Sequence, residues 1–295
     1  MICGAVPVRR PRDVEKALEA AVSCLELRLD YLSTSLYEIK PYLEEAVAEK
    51  IVIFTVRRAE EGGMWRRSEE ERVELYQKLL ELGPHYVDVE AESPIARQIA
   101  DVKGSARLIA SRHDFEKTPP LYILKNWADK AAEVGDIVKI VTYAKEPRDG
   151  LTILSLIGEV EKPTVAFAMG PAGVYTRVAS VMLGSPIIYV SLGEATAPGQ
   201  LTLDAMYAAL IGLGAFPTGS GLSAMREALD WTDGAIMYLL KKRLEACRDL
   251  GKIKKEQGLP IYDDEREARV LKRAGDFRQI FELIVQMCKA VQIVV

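Results

Sequence analysis

Short apolar runs alternate with longer amphipathic segments along roughly the first 215 residues. Eight runs are rich in the β-branched and aliphatic residues of strands, namely Cys3–Val8, Cys24–Leu29, Ile51–Val56, Tyr86–Val89, Arg107–Ser111, Ile137–Val141, Thr164–Ala168 and Ile187–Val190. Helical spacing occupies segments between them, such as Val14–Val22, Ser68–Leu82, Leu121–Val134 and Ser155–Ile157. Eight β-then-α units predict an α/β fold, a (β/α)8 TIM barrel, more than an open doubly wound sheet. No G-x-G-x-x-G follows the first strand, which argues against a dinucleotide-binding fold.

A different pattern follows Phe216–Gly221, a Pro/Gly/Ser-rich break. Apolar residues then recur every three or four positions, and this spacing predicts a small all-α three-helix domain. Its helices are expected over 223–256, from near Asp263 to Gly275, and from Phe277 onward. We therefore predict two domains, 1–218 and 219–295. Three helices bury little core alone, and the first is unusually long, so we expect an intertwined homodimer through this domain.

Polar residues collect where the predicted strands end. In the second strand leucines alternate with Glu26, Arg28 and Asp30, so the charges should face the barrel interior. Four further strands end in polar motifs: Arg57-Arg58 with Glu61-Gly62-Gly63, Arg112-His113-Asp114, Gly170 with Arg177, and Thr196 to Gln200. Any one of these could be an ordinary surface or turn feature. Together they predict a site at the barrel end where catalysis occurs in this fold.

Lys139 lies in the middle of the apolar run Asp136–Val141. Desolvation disfavours the charged form of a lysine, and a neutral amine is the form that attacks a carbonyl group. The alternative is a lysine whose stem packs while its ammonium group reaches water. His113 is the better candidate for a base, because His85 precedes a strand and so belongs to the opposite barrel end. Lysine, histidine, glutamate and arginines suit an anionic carbonyl substrate.

Composition narrows the class of protein. The chain has 295 residues, of which 49% are hydrophobic and 28% charged, as in soluble globular proteins. Its net charge of −4 gives no reason to expect nucleic-acid or membrane binding. No apolar run approaches the ~20 residues of a transmembrane helix, and no signal peptide is recognisable. Four scattered cysteines without zinc spacing predict reduced thiols, no metal site and a cytoplasmic location.

The barrel motifs resemble type I 3-dehydroquinate dehydratase, a Schiff-base-forming enzyme of the shikimate pathway. The resemblance is carried in order by Glu26–Asp30, Phe54–Arg57 with Glu61–Gly63, Ser111–Phe115, Asp136–Lys139, Met169-Gly170 with Arg177, and Ala197–Gln200. It implies Lys139 as the imine-forming lysine, His113 as the general acid and base, and Glu61 as the residue that orients His113. It also implies a substrate-binding set of Glu26, Arg28, Arg57, Arg177, Thr196 and Gln200, with Arg177 on the substrate carboxylate. Thr196 stands where this family more often has serine.

The alternative for the barrel is a class I aldolase or another Schiff-base lyase. Such an enzyme shares the lysine and the fold but cleaves a carbon–carbon bond. No cofactor is implied by either interpretation, because the imine itself stores the electrons released from the substrate.

In the first predicted helix of the second domain, Arg243 and Lys254 are eleven residues apart and share a face, ~16 Å apart along the axis. Arg226 lies roughly 42 Å from Lys254 along the same helix and cannot serve the same ligand within one chain. Solvated surface charges are the ordinary explanation for such residues.

Residues 223–295 nevertheless resemble the all-helical chorismate mutase domain. The resemblance implies a chorismate-binding set of Arg226, Arg243, Lys254, Asp263, Arg266, Glu267, Cys288 and Gln292. It implies that Arg226 is donated across an intertwined dimer and binds the substrate carboxylates with Arg243. Lys254 and Gln292 would donate to the ether oxygen, and Asp263 or Glu267 would accept from the hydroxyl. Cys288 stands where the family often has serine, and the connection before the third helix is shorter than usual.

We therefore expect a bifunctional enzyme of aromatic amino-acid biosynthesis, a lyase and an isomerase in one chain, acting on 3-dehydroquinate and chorismate. The alternative from another class is a dehydratase whose helical tail is a non-catalytic dimerisation or regulatory module.

Overall fold

The structure is a computed structural model, and it describes residues 1–215, 217 and 221–294. These residues form two compact units, Met1–Met206 and Tyr207–Val295, and the division falls within one helix. The domain boundary predicted at 218/219, within the Phe216–Gly221 break, lies outside the described residues, so its position remains a prediction.

The first unit contains eight parallel strands, as predicted. They are β1 (Ile2–Pro7), β2 (Cys24–Arg28), β3 (Ile51–Thr55), β4 (Tyr86–Glu90), β5 (Arg107–His113), β6 (Ile137–Tyr143), β7 (Thr164–Met169) and β8 (Ile188–Ser191). Their hydrogen-bonded order is β7-β6-β5-β4-β3-β2-β1-β8, so each strand pairs with its sequence neighbour and β1 also pairs with β8. This order makes a nearly closed barrel and confirms the predicted fold class.

Helices connect the strands and cover the outside of the barrel. They are α1 (Pro11–Leu18), α2 (Leu36–Glu49), α3 (Glu69–Leu80), α4 (Ala96–Val102), α5 (Leu121–Val134), α6 (Pro147–Leu154), α7 (Val174–Met182) and α8 (Leu203–Gly212). The segment Ser155–Ile157, predicted as helix, lies just beyond α6. Pro147 starts α6 because its missing N–H costs nothing in the first helical turn, and Gly150 packs against α7 without a side chain in the way.

Two apolar layers hold the barrel together. The outer layer packs Leu25, Leu27 and Leu29 against helices α1 and α2, through side chains that are 0–1% exposed. The inner layer fills the barrel interior below the site with residues such as Ile53, Ile109 and Val165. Alternation in β2 therefore directs its leucines outward and its charged residues inward, as the sequence predicts.

The second unit contains three further helices: α9 (Leu222–Glu256), α10 (Asp264–Ala274) and α11 (Arg278–Ile293). These bounds agree closely with the three predicted helices. Asp263 caps α10, because its carboxylate accepts a hydrogen bond from the Arg266 backbone N–H at 2.9 Å. Helix α11 packs along α9. Among the described residues, no helix has the combined length and apolarity needed to cross a bilayer.

The expectation of four reduced cysteines is wrong, because the structure contains two disulfides. Cys3 is bonded to Cys24, and Cys247 is bonded to Cys288. The first pair forms because parallel pairing of β1 and β2 sets these two residues directly opposite each other. The second pair forms where α9 and α11 pack together. Spacing along the sequence, 21 and 41 residues, carries no sign of either contact.

Candidate active sites

One cavity at the carboxyl ends of the strands brings together all nine barrel residues singled out from the sequence. They are Glu26, Arg28, Arg57, Glu61, His113, Lys139, Arg177, Thr196 and Gln200. His85 is not among the lining residues; it precedes β4, and its Nδ1 accepts a hydrogen bond from the Val52 backbone N–H. His113 therefore lines the cavity and His85 does not, which agrees with the prediction that His113 is the candidate base.

Lys139 projects from the middle of β6 into this cavity and is 4% exposed. Its Nζ donates to Asp88 Oδ2 at 2.8 Å and to Glu26 Oε1 at 3.3 Å. It also lies 4.0 Å from the centroid of the Tyr189 ring. Asp88, Glu26 and Tyr189 thus hold the buried Lys139 amine in one position.

A network of buried charges lies below the mouth of the site. Arg57 donates to Asp88 at 2.6 Å, to Glu90 at 3.0 Å and to the Ser111 hydroxyl at 2.6 Å. Burial acts to raise the pKa of Asp88, but the charges of Arg57 and Lys139 outweigh it and hold that pKa well below its usual range. Asp88 therefore stays ionised and links Arg57 to Lys139.

Asp88 and Glu90 are site residues that the sequence analysis missed. They alternate with valines in β4, as Glu26 and Arg28 alternate with leucines in β2. The same inverted alternation could have identified them, because a carboxylate on the inner face of a barrel strand must be paired or bind a ligand.

Glu61 holds His113 through two contacts to a single oxygen. Its Oε2 accepts the His113 backbone N–H at 2.8 Å and lies 3.0 Å from His113 Nδ1. Glu61 reaches this position from a tight turn in which Gly62 has φ +75°, and a Cβ at Gly62 would lie 2.1 Å from the Phe115 ring. Because Oε2 already accepts one N–H, we assign the imidazole proton to Nδ1, which leaves Nε2 as the basic atom.

Burial sets the ionisation of this pair. Desolvation, with the nearby charges of Arg57 and Lys139, holds the pKa of His113 well below its usual value. Desolvation likewise raises the pKa of the Glu61 carboxyl to about 7, against the opposing charge of Arg57. The imidazole is therefore neutral, and Glu61 is the group of the pair that titrates near neutrality.

Arg177, from α7, is a buried cation with spare donors. Its Nη2 donates to the Pro198 carbonyl at 3.3 Å, and its guanidinium lies 4.4 Å from the Phe167 ring centroid. Its buried Nε has no partner among the described residues. Desolvation lowers the pKa of Arg177 to about 10, which still leaves it charged at neutral pH. A guanidinium that no described carboxylate neutralises is suited to bind a carboxylate of a ligand.

The remaining barrel residues complete the rim. Arg28 forms a bidentate pair with Asp30, with both distances 2.8 Å. In the loop after β8, the Gln200 side-chain oxygen accepts the Thr196 backbone N–H at 2.8 Å and its hydroxyl at 3.2 Å. Arg28, Thr196 and Gln200 all line the cavity, and Asp30 is held in turn by the Met64 backbone N–H at 2.9 Å.

Tyr189 is a third site residue that the sequence pattern did not identify. It lines the cavity from β8, is 4% exposed, and its hydroxyl has no hydrogen-bond partner among the described residues. Desolvation and the charges of Glu26 and Asp88 raise the pKa of the Tyr189 phenol well above its usual value, so the phenol stays neutral. No sequence signal identifies it, because a tyrosine in an apolar strand is normally a core residue.

A second cavity, of about 380 Å³, lies within the helical unit. Seven of the eight residues predicted to bind chorismate line it: Arg243, Lys254, Asp263, Arg266, Glu267, Cys288 and Gln292. Arg226 is exposed and does not line it, as expected from its distance along α9. The other lining residues include Lys289, so cations outnumber carboxylates by four to two around this cavity.

Several contacts fix the donors of the helical cavity. Lys254 Nζ donates to the Ile261 carbonyl at 2.7 Å, and Lys289 pairs with Glu267 at 2.6 Å. Arg243 Nη1 donates to the Ile284 carbonyl at 3.4 Å. Burial, followed by the charge of Arg266, lowers the pKa of Arg243. Two neighbouring arginines that repel each other are suited to bind an anion.

Comparisons with known families support both parts of the chain. The family model described as type I 3-dehydroquinase matches residues 2–215. The model described as chorismate mutase type II matches residues 225–293. The expected combination of a lyase domain and an isomerase domain in one chain is confirmed.

Curated relatives carry the name of the first activity. A 3-dehydroquinate dehydratase from Pyrobaculum aerophilum is 74% identical over 294 residues, which cover 100% of this chain and 98% of the relative. A 3-dehydroquinate dehydratase from Thermococcus gammatolerans is 41% identical over 216 residues, 72% of this chain and 98% of its own. The first relative thus matches both units, whereas the second matches a length close to that of the barrel.

Solved structures match the barrel. The 3-dehydroquinate dehydratase from Geobacillus kaustophilus has a TM-score of 0.68 at 25% identity and covers 74% of this chain and 92% of its own. The enzyme from Aquifex aeolicus has a TM-score of 0.62 at 33% identity and covers 72% of this chain and 98% of its own. The chain therefore belongs to the type I 3-dehydroquinase family, with a chorismate mutase type II domain following the barrel.

Proposed function

We propose that the barrel dehydrates 3-dehydroquinate to 3-dehydroshikimate through an imine on Lys139, and that the helical unit rearranges chorismate to prephenate. The observation that carries the first activity is the convergence of a buried lysine, a neutral histidine and an unneutralised arginine in one cavity. The aldolase alternative is not favoured, because the barrel matches the dehydroquinase family over its whole length.

Dehydration of a β-hydroxyketone requires an acidic proton beside the carbonyl. The unprotonated Nζ of Lys139 attacks the ketone carbon, water leaves, and the resulting iminium acidifies the neighbouring C–H. His113 Nε2 takes that proton, and the enamine then expels the β-hydroxyl group. His113 returns the proton to the departing oxygen, so a second water leaves. Hydrolysis of the imine consumes one water and releases the product and Lys139, for a net loss of one water.

The other barrel residues bind and orient the substrate. Arg177 pairs with the ring carboxylate, supported by the lack of a competing carboxylate among its described neighbours. Thr196 and Gln200 hold hydroxyl groups at the rim, and Glu26, Arg28 and Arg57 fix the ring over Lys139. Glu61 keeps His113 in the tautomer that leaves Nε2 free.

Borohydride reduction tests the imine. Treatment with borohydride in the presence of 3-dehydroquinate should fix one adduct on Lys139, detected by peptide mass spectrometry. Lys139→Met should give no adduct and no dehydration. An adduct elsewhere, or none, contradicts the imine mechanism, and products of carbon–carbon cleavage would support the aldolase alternative.

The helical cavity is suited to a pericyclic reaction, which needs no nucleophile. Arg243 and Arg266 bind carboxylate groups, Lys254 donates to the ether oxygen as charge develops on it, and Asp263 or Glu267 accepts from the hydroxyl. Gln292, which the resemblance implies as a second donor to the ether oxygen, gives its Nε2 to Cys288 and presents Oε1, so we propose that it accepts from the hydroxyl instead. The excess of cations around the cavity supports a dianionic substrate. Cys288, as half of a disulfide, has no thiol hydrogen to donate, so we propose a role for it through position alone.

Arg243→Ala should abolish chorismate turnover and leave the dehydratase activity unchanged. Arg248→Ala, on an exposed position of the same helix, is the matched control and should leave both activities unchanged. Prephenate formation at the wild-type rate in Arg243→Ala would instead favour the non-catalytic module.

We further propose a homodimer through the C-terminal helices, in a cytoplasmic enzyme. Several large apolar residues of α9 and α11 are about half exposed or more within one chain, among them Leu229, Ile236, Leu239, Ile280 and Leu283. Such a surface supports association with a second copy. Arg226, which does not line the cavity of its own chain, would then reach the partner's cavity.

Subunit mixing tests this assignment of Arg226. Arg226→Ala and Arg243→Ala should each lack mutase activity alone. In an equal, re-equilibrated mixture, half of the dimers are mixed, and each mixed dimer has one intact site if Arg226 acts in the partner. Mutase activity should therefore recover to about a quarter of wild type, by simple pairing statistics. No recovery in a mixture that sedimentation shows to contain dimers contradicts donation across the dimer.

A further inference from the structure

The Cys247–Cys288 disulfide lies in the wall of the helical cavity. Cys247 is four residues after Arg243 on α9, and Cys288 is four residues before Gln292 on α11. Residues four apart on a helix are neighbours on one face. The disulfide therefore joins the two helices at the level where each presents a residue assigned to chorismate.

Both sulfur atoms accept hydrogen bonds from these two residues. Arg243 Nη1 lies 3.7 Å from Cys247 Sγ, in addition to its contact with the Ile284 carbonyl. Gln292 Nε2 donates to Cys288 Sγ and to the Cys288 carbonyl, both at 3.3 Å. The guanidinium and the amide are thus oriented by the same covalent bridge.

Orientation of the Gln292 amide has a direct consequence for the cavity. Its Nε2 is engaged by Cys288, whereas its buried Oε1 has no partner among the described residues. Gln292 is 7% exposed and lines the cavity. A buried amide with one end fixed and the other end free is held for a ligand.

Helices α9 and α11 approach each other closely beside the bridge. The buried residues of α9 are Ala228, Gly234, Ala235, Cys247 and Gly251, all of them small. One turn beyond the bridge, a Cβ at Gly251 would lie 2.9 Å from the Gln292 Cα, so the two backbones approach closely there. The absence of a side chain at Gly251 allows this approach one turn from the bridge.

We propose that the Cys247–Cys288 disulfide is a positioning element of the mutase site, which holds Arg243 and Gln292 in register across α9 and α11. This inference rests on the assignment of the helical cavity to chorismate. Arg243 binds a substrate carboxylate, and the free Gln292 Oε1 can accept from the substrate hydroxyl. A shift of α11 against α9 would misplace the substrate both for binding and for the rearrangement. Loss of the bridge should therefore raise KM and lower kcat together, beyond any effect on unfolding.

The chain provides a matched control, because its other disulfide lies in the barrel. We compare the full-length Cys247→Ser/Cys288→Ser variant with Cys3→Ser/Cys24→Ser. Mutase kcat and KM are measured well below the unfolding temperature of each variant, with circular dichroism as a check on helix content. In the first variant kcat/KM for chorismate should fall by about 10- to 100-fold, as expected for a misplacement of order 1 Å, and dehydratase kinetics should stay unchanged. In the second variant mutase kinetics should stay unchanged.

A second measurement does not require the Cys247→Ser/Cys288→Ser variant to fold. Cys3→Ser/Cys24→Ser contains one disulfide, so a phosphine reductant breaks only the mutase bridge, and removal of the reductant under air restores it. Mutase activity should fall and recover with this cycle, while thiol alkylation and mass spectrometry follow the state of Cys247 and Cys288.

Three results separate the inference from the assignment on which it rests. Wild-type mutase kinetics in a variant or reduced protein without the bridge overturn the positioning role alone. Alkylation of Cys247 and Cys288 as free thiols in fully active wild type also overturns it alone. Lack of chorismate turnover by the wild-type protein overturns both the assignment and this inference.

Discussion

Replacement of Glu61 with glutamine removes the carboxyl that titrates near neutrality in the Glu61–His113 pair. Burial raises the pKa of Glu61 to about 7, whereas the pKa of His113 is held well below its usual value. Above pH 7 the Glu61 carboxylate accepts the Nδ1–H, and Nε2 is a free base. Below pH 7 the protonated carboxyl donates to Nδ1 instead, so the imidazole proton moves to Nε2 and the base is lost.

The size of the effect follows from the ionised fraction of Glu61. At pH 6, one unit below a pKa of about 7, about a tenth of the carboxyl is ionised, and at pH 5 about a hundredth. Dehydratase kcat/KM should therefore fall about tenfold at pH 6 and about 100-fold at pH 5 relative to its plateau. Because a glutamine amide does not titrate, Glu61→Gln should lose this decline between pH 5 and 8. Its plateau should be lower by about fivefold to tenfold, since a neutral acceptor makes a weaker hydrogen bond than a carboxylate.

The assay is the ultraviolet absorbance of the conjugated dehydration product, measured across pH 5–9 for both proteins. Glu60→Gln is the control, because Glu60 is its exposed neighbour and should leave the wild-type profile intact. A pH profile of Glu61→Gln that still declines below pH 7, or a wild-type profile flat from pH 5 to 8, would refute the reasoning.

Three further substitutions test other parts of the barrel site. Arg177→Met should raise the KM for 3-dehydroquinate by about 100-fold. The melting temperature should stay the same or rise, because the substitution removes a buried cation that has no carboxylate partner among the described residues. A lower melting temperature with an unchanged KM contradicts this. Tyr189→Phe should keep dehydratase kcat within about threefold of wild type. Tyr189→Leu should lower kcat about tenfold, because it removes the ring beside Lys139 Nζ. Equal kcat values for the two variants in steady-state assays would exclude a role for the ring. Asp88→Asn should lower the free energy of unfolding by about 3 kcal/mol in denaturant titration, since Arg57 and Lys139 lose a shared buried partner. A decrease below about 1 kcal/mol would mean that the other residues of the network replace this ion pairing.

Local pattern was enough to predict much of this protein. The alternation in Cys24–Leu29 predicts a strand with charges on its inner face, and the proline-free run after Ser223 predicts the long helix α9. These predictions succeed because side-chain periodicity depends on the backbone of a single element. The same rule applied to β4 would have identified Asp88 and Glu90.

Other features depend on which residues meet, and the sequence carries no local signal of that. Tyr189 in β8 resembles a core residue until its ring is seen beside Lys139 from β6. Cys3 and Cys24 resemble scattered thiols until β1 and β2 pair. The pKa of Glu61 is raised by burial, which exists only once the turn at Gly62 brings its carboxylate beneath His113.

The sequence by itself determined the succession of strands and helices, the end of the barrel at which polar groups gather, and the motifs of two enzyme families. Only the tertiary structure decided that Lys139 is held between two carboxylates, that Arg177 Nε has no partner among the described residues, and that a disulfide joins the walls of the helical cavity. The physical reason is that periodicity is a property of one element, whereas ion pairing, desolvation and cross-linking are properties of distances between elements.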